Sequence, residues 1–290
     1  MQLGPSELIL NADGSIYHLN ILPEDIATTI ITVGDPDRVS DVSKHFDSIE
    51  FKKGKREFIT HTGTLNKKRI SVISTGIGTD NIDIVFNELD ALVNVDFEKR
   101  IVKSNKTKLD IIRIGTSGAI QSDVAVDSFL ISEFAMGFDG LLHAYKSDTI
   151  QHKVISEAFV KHTGWSSDKS VPYVVKCDKS LAAQLSSNRI RFGLTATNIG
   201  FYGPQGRKLR LELADVSLNN KIASFEHDSL KITNLEMETS GIYGLSKLLA
   251  HRAVSMNCIL ANRVTGEFSK NPQKAVDDLI QYTLEKLMSN

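Results

Sequence analysis

The chain has 290 residues, with 34 Lys and Arg against 35 Asp and Glu, a formal net charge of −1, 41% hydrophobic and 24% charged residues. That near-average composition excludes disorder, collagen and coiled coil. The near-neutral balance argues against an electrostatic grip on nucleic acid, which needs a basic surplus.

Short apolar runs rich in β-branched residues recur along the chain. Thr29–Val33 ends at Gly34, Ile70–Ser74 at Gly76 and Leu109–Ile114 at Gly115. Ser128–Ile131 follows a turn, and Ala253–Leu260 ends the series. Continuous apolar runs of this length suit strands covered on both faces. Three segments between and after them show helical spacing: Asp80–Leu92, Thr239–Ala250 and Pro272–Leu287. Strands alternating with helices predict an α/β fold. No repeat or linker marks a boundary, so residues 1–290 read as one domain. Asn94–Lys108, rich in Lys, Asp and Asn, reads as an insertion that lengthens a surface helix or loop, its basic residues forming a solvated face.

Cys177 and Cys258 lie far apart and make neither a disulfide framework nor a local metal motif. They read as buried thiols of a reducing cytoplasm. Residues 1–20 are interrupted by Glu7, Asn11, Asp13 and His18, so no apolar leader core is expected. No apolar run approaches the ~18 residues of a membrane span. The expectation is a soluble, cytoplasmic protein with no membrane or nucleic-acid partner.

Three strand ends carry glycine beside a hydroxyl or a charge. In Gly34-Asp35-Pro36-Asp37-Arg38 the turn can expose backbone N–H groups while Arg38 supplies a fork for phosphate. On local pattern alone an ordinary Asp-Pro turn remains the alternative. Ser74-Thr75-Gly76-Ile77-Gly78-Thr79 begins like a dinucleotide fingerprint, but Asn81 replaces the third glycine and the motif is rejected. In Arg113-Ile114-Gly115-Thr116-Ser117-Gly118-Ala119 a hydroxyl and backbone N–H groups can hold an anion, with Arg113 at its edge. No Walker loop, H-E-x-x-H site or G-x-S-x-G elbow is present. Glu236-Met237-Glu238 could bind a diol through its carboxylates, or simply favour a helix N-terminus.

Taken in order, the G-D-P-x-R, S-T-G-I-G, R-I-G-T-x-G-A-I, F-Y-x-x-Q-x-R and E-M-E segments resemble the trimeric-type nucleoside phosphorylase family, nearest its uridine phosphorylase branch. The match is colinear from His18 to about Thr265. It implies a single-domain α/β/α sandwich around a central mixed, partly barrel-like sheet. It also implies reversible phosphorolysis, in which nucleoside and inorganic phosphate give ribose 1-phosphate and free base with no organic cofactor.

Carried onto this chain, the resemblance places phosphate at Gly34, Arg38, Arg113 and Thr116, with Arg56 lent by a neighbouring subunit. Met237 and Glu238 match the ribose pair, with Glu236 in support, and His18 matches a histidine that crosses a dimer interface to the ribose. Phe201, Gln205 and Arg207 match a uracil reader that Arg263 helps to orient. Glutamine carries both a donor and an acceptor for the uracil edge, and Phe201 can stack on the ring. Arg38, Arg113, Thr116, Arg207 and Glu238 are thus the expected catalytic set. Some relatives hold a monovalent cation such as K+ between subunits; Glu57 and Ile77 match its ligands, and Asn81 stands where they have serine. The site would be shared in a homodimer, or in a hexamer built as a trimer of dimers.

The chain departs from the family pattern at the 94–108 segment and in the order Gly203-Pro204. Leu260 and Ala261 replace bulkier aliphatics over the base, a change that can loosen specificity and leaves the choice among uridine, deoxyuridine and thymidine open. A purine nucleoside phosphorylase or nucleosidase of the same fold, and a non-catalytic nucleoside-binding protein, are the alternatives. The three arginines weigh against a nucleosidase. Gln205 with Arg207, and the absence of an acid in Leu260-Ala261-Asn262-Arg263, weigh against a purine enzyme.

Overall fold

The computed structural model describes residues 2–289. In chain order its elements are β1 (Thr29–Val33), α1 (Pro36–Ser43), β2 (Ser48–Lys55), β3 (Phe58–Leu65), β4 (Lys68–Ser74), α2 (Thr79–Asn94), β5 (Val95–Asp96), β6 (Ile101–Val102) and β7 (Asp110–Ala119). There follow β8 (Phe129–Gly137), α3 (Lys153–Thr163), β9 (Tyr173–Lys176), α4 (Lys179–Leu185), β10 (Ile190–Thr197), α5 (Leu218–Ser224), β11 (Glu226–His227) and β12 (Leu230–Glu236). The chain ends with α6 (Thr239–Leu248), β13 (Arg252–Asn262), β14 (Glu267–Phe268) and α7 (Pro272–Met288).

The fold is α/β, as expected. One mixed sheet runs β11-β12-β10-β8-β13-β7-β1-β4-β3-β2, with β9 added to β8 and β14 to β13. The β1 run is buried at every position and lies parallel to both β4 and β7, the pattern its continuous apolar sequence implies. The sheet also curls back on itself. β12 pairs with β7 through Asn234↔Ala119 and Leu235↔Gly118. Strands β7, β13, β8, β10 and β12 therefore pair all the way round a ring, which is the partly barrel-like character expected.

Two helix groups flank the sheet. α2 and α6 pack together, with α6 against β8 and β13, while α7 packs with α1 and α4 and against β7 and β13. Leu89 and Leu92 of α2 and Leu279 and Ile280 of α7 are fully buried. Burial of each such side chain stabilises by about 1.5–3 kcal/mol.

Several boundaries differ from the sequence pattern, each for a physical reason. The strand predicted to end at Ile114 continues through Gly115 to Ala119, because its last residues pair with β13 and β12. The helix predicted to reach Ala250 stops at Leu248, and Ala250 turns into the left-handed region at φ 61°. The 94–108 segment is not a longer helix. It forms the β5–β6 hairpin, and Arg100 donates to the carbonyls of Leu3, Gly4 and Leu8. One basic residue of the supposed solvated face thus ties down the N-terminal segment.

Candidate active site

The parallel strands β1, β4, β7 and β13 point their carboxyl ends to one edge, where ligands of α/β sheets usually bind. A cleft of about 800 Å³ opens there. It gathers Gly34 and Arg38 beyond β1, Ile77 and Asn81 beyond β4, Arg113 and Thr116 on β7, Met237 and Glu238 beyond β12, and Phe201, Gln205 and Arg207 from the loop after β10. Motifs separated by some 200 residues of sequence therefore meet at one surface.

Arg38 lies in the first turn of α1. Asp35 caps that helix by accepting the Asp37 N–H at 3.0 Å, and Pro36 fits its opening turn. Among the described residues no carboxylate comes within 4.0 Å of the Arg38 guanidinium, although the residue is partly buried. Burial, and the nearby Arg113 cation, pull its pKa below the ordinary guanidinium value against Asp35. A desolvated cation without a partner is the local signature of an anion site.

Arg113 is the opposite case. Its Nη2 donates to Glu238 Oε2 at 2.7 Å and lies 3.2 Å from Glu236 Oε2. Its Nη1 donates to Ser255 Oγ at 3.3 Å and Asn257 Oδ1 at 3.2 Å. Burial works against its charge, but the Glu236 and Glu238 carboxylates reverse that and raise its pKa. Three hydrogen bonds and the ion contact to Glu236 thus occupy both Nη groups, leaving Nε–H. The guanidinium folds back over its own strand. A Cβ on Gly115 would stand 1.9 Å from Nη1. We therefore expect Gly115→Ala to displace Arg113 and lower kcat/KM by at least tenfold; a variant within twofold of the parent would show that this packing is unimportant.

The two glutamates divide their work. Glu236 Oε2 accepts the N–H of Glu238 at 2.9 Å and of Thr239 at 3.0 Å, and Oε1 accepts the Thr197 hydroxyl at 2.6 Å. Those bonds hold the start of α6. Glu238 Oε1 accepts the Gly78 N–H at 2.9 Å, beside the cleft. Gly78 has φ 98°, a conformation open to glycine. Burial raises the Glu238 pKa, with Glu236 adding and Arg113 opposing.

Across the cleft, the Arg207 guanidinium lies 3.8 Å over the Phe201 ring. Its Nη1 donates to Phe201 O and Gln205 Oε1, both at 2.6 Å. Burial and the neighbouring Arg263 lower its pKa to about 10. Gln205 is buried, and among the described residues its Nε2 donates to nothing in the protein. An amide with its oxygen held and its N–H₂ free presents donors to a ligand carbonyl.

Three expected site residues stand outside the cleft. Arg263 is behind it, where Nη1 donates to the Gln205 carbonyl at 2.5 Å, so it steadies the glutamine backbone. His18 is held by Glu88, which accepts its Nδ1 contact at 2.7 Å and the backbone N–H groups of His18 and Leu19. Arg56 is exposed at the β2–β3 turn with φ 56°. Glu57, Ile77 and Asn81 share one wall, where Asn81 Nδ2 donates to the Ile77 carbonyl at 3.4 Å. Among the described residues no group of three His, Cys, Asp or Glu could hold a metal ion.

Ser117 and Phe268 also line the cleft. Phe268, 65% exposed on β14, lies directly across the ladder from Ala261. A small residue facing a large one was the available signal, visible only once the hairpin pairs them. No helix among the described residues is long and apolar enough to cross a membrane.

Comparison with known proteins points to one family. A uridine phosphorylase of Thermococcus kodakarensis is 29% identical over 268 residues, 90% of this chain and 83% of that one. A uridine phosphorylase of Haemophilus influenzae is 27% identical over 94% of both chains. DeoD-type purine nucleoside phosphorylases also match, at 25% identity. Among solved structures, a Trypanosoma brucei nucleoside phosphorylase described as showing uridine phosphorylase activity superposes with a TM-score of 0.87 at 28% identity. It covers 98% of this chain and all of that one. The phosphorylase superfamily model matches residues 28–288, nearly the whole chain, and the chain belongs to that superfamily.

Proposed function

We propose that this chain is a uridine phosphorylase, a pentosyltransferase that exchanges the base of uridine for inorganic phosphate. The observation that carries the reading is the single cleft uniting an unpartnered Arg38 with the Phe201–Gln205–Arg207 group. The first supplies a place for an anion, the second a place for a flat ring with carbonyl acceptors. The uridine phosphorylase names of the matching proteins support the substrate.

In this reading a phosphate oxygen attacks C1′ of the ribose while the C1′–N1 bond breaks and its electron pair leaves with the base. Positive charge develops on the sugar and negative charge on uracil. Arg38 and the Thr116 hydroxyl hold the phosphate, with Gly34 letting the backbone approach. Arg113 contributes Nε–H and its field, since both its Nη groups are occupied. Fixing the nucleophile converts an encounter into an oriented attack, worth up to several kcal/mol. Glu238 and Met237 hold the ribose. Gln205 Nε2 and Arg207 stabilise charge moving onto the uracil carbonyls, so no general acid is required at the base.

Gln205→Ala tests the base assignment. Loss of one hydrogen bond to a charged group costs about 1.5–3 kcal/mol. The expected result is a 10- to 100-fold fall in kcat/KM for uridine with the phosphate KM unchanged. Equal losses on both substrates would contradict it.

We further place the enzyme in the cytoplasm as a homodimer or larger assembly, each 290-residue chain acting as one domain. Two buried free thiols, Cys177 and Cys258, suit a reducing compartment. The oligomer is supported by His18 and Arg56, which lie off the cleft of their own chain and are proposed to complete a neighbour's site. Mixing the impaired His18→Ala and Gln205→Ala proteins should then raise activity above that of either alone, through hybrids carrying one intact site. Complete failure to complement would count against sharing. A potassium ion at Glu57, Ile77 and Asn81 would require the Asn81 amide to turn its oxygen inward, and no step is routed through one.

A further inference from the structure

A chain of buried hydrogen bonds circles the inside of the five-strand ring. It starts at Arg113 on β7, whose Nη1 donates to Asn257 Oδ1 on β13. Asn257 Nδ2 donates to Ser132 Oγ on β8 at 3.0 Å. Ser132 Oγ lies 2.6 Å from Thr195 Oγ1 on β10. Thr195 Oγ1 donates to Asn234 Oδ1 on β12 at 2.9 Å, and Asn234 Nδ2 donates to Ser117 Oγ at 2.9 Å. Ser117 is back on β7, four residues beyond the start, and lines the cleft. Asn257, Ser132, Thr195 and Asn234 are completely buried.

The direction of every bond follows from counting protons. A guanidinium can only donate, so the Asn257 oxygen faces Arg113 and its N–H₂ faces Ser132. Each hydroxyl has one proton to give. Ser132, accepting from Asn257, therefore gives its proton to Thr195, and Thr195 gives its own to Asn234. The Asn234 oxygen is fixed as the acceptor by Thr195; the Thr233 hydroxyl, 2.8 Å from that oxygen, also has the Leu194 carbonyl as an acceptor at 3.1 Å and does not itself set the direction. Its N–H₂ is left for Ser117. Ser117 thus accepts from the protein, and its own proton is free.

We propose that this relay fixes Ser117 as a hydrogen-bond donor into the cleft, directed at an oxygen acceptor of the bound nucleoside. Asn257, Ser132, Thr195 and Asn234 are positioning residues for it. The inference rests on the nucleoside reading above. It adds to that reading a ligand contact and the reason for four neutral polar side chains in a strand ring that could have been apolar.

The test compares S117A, N234D and the double variant in uridine phosphorolysis, with nucleoside and phosphate varied separately. A carboxylate at position 234 accepts where the amide donated. It reverses Ser117, which then gives its proton to the protein and offers the cleft only lone pairs. Both single variants should lose about five- to tenfold in kcat/KM for the nucleoside, the scale of one hydrogen bond, with the phosphate KM unchanged. The double variant should lose no more than either single one. The side chains hydrogen-bonded to Asn234 are the hydroxyls of Ser117, Thr195 and Thr233, none of which titrates near neutrality. Acid should therefore restore N234D, whose protonated carboxyl can donate to Ser117 again, and leave S117A unchanged.

S117A within twofold of the parent, additive losses in the double variant, or a loss confined to the phosphate KM would each overturn the proposal. Should N234D fail to fold, T195V cuts the relay instead. It should lower nucleoside kcat/KM in the parent and have no effect in the S117A background. Wild-type turnover tests the substrate reading separately. A wild type active on inosine and inert to uridine would refute that reading, and the same non-additivity would then be required with inosine.

Discussion

Arg38→Ala should raise the phosphate KM at least tenfold and lower kcat/KM by about 10²–10³-fold, the scale of removing a preorganised charge donor. The effect is large because Arg38 has nothing else to do. It forms no ion pair among the described residues, and its burial already disfavours its charge. Its interaction with an incoming anion is therefore gained without breaking a protein contact. For the same reason the substitution should leave thermal stability within about 2 °C of the parent, since no partner is orphaned. Initial rates at varied phosphate, beside a thermal melt, check both halves. A phosphate kcat/KM within twofold of the parent would remove Arg38 from the anion site.

Arg113→Met should behave differently, costing stability as well as activity. The guanidinium lies between two buried carboxylates, at 2.7 Å from Glu238 and 3.2 Å from Glu236. Removing one partner of such a group leaves uncompensated buried charge, at about 3–5 kcal/mol. In a chain of this size that is a fall in Tm of about 6–10 °C, at roughly 2 °C per kcal/mol. The loss should depend on pH in a definite direction. Burial already raises the Glu238 pKa, and without Arg113 it rises further. The folded variant then binds a proton that the unfolded chain has released, so its stability falls as pH rises above the ordinary carboxylate range. The Tm deficit against the parent should be larger at pH 8 than at pH 5. A deficit that grows toward acid would contradict the role of Arg113 as counter-ion. Activity should fall by about 10³-fold, because Glu238 and the phosphate both lose their partner.

The contrast between these arginines marks the limit of what the sequence pattern could reveal. Both stood out beside glycine turns after strands, and both do line the cleft. Their different states depend on partners more than 100 residues away, Glu238, Ser255 and Asn257, which become neighbours only through the ring of β7, β12 and β13. β1 was legible to the residue because a doubly covered parallel strand is apolar throughout. The β2–β3 hairpin was not, since β2 is largely exposed and has no apolar run to mark it. The full length of β7 was hidden by Gly115 and Gly118, which usually punctuate a strand; here Gly115 instead makes room for the Arg113 guanidinium. Asn257 and Asn234 carry no local motif at all. His18 and Arg56 could be assigned only from the family resemblance, and their place off the cleft fits a contribution across an interface.

Uridine cleavage followed by absorbance, with and without inorganic phosphate and beside thymidine and inosine, addresses the central claim. The account predicts that uridine is converted to uracil only when phosphate is present, with ribose 1-phosphate formed in equal amount and inosine inert. Cleavage of uridine at the same rate without phosphate, or phosphorolysis of inosine in preference to uridine, would contradict it.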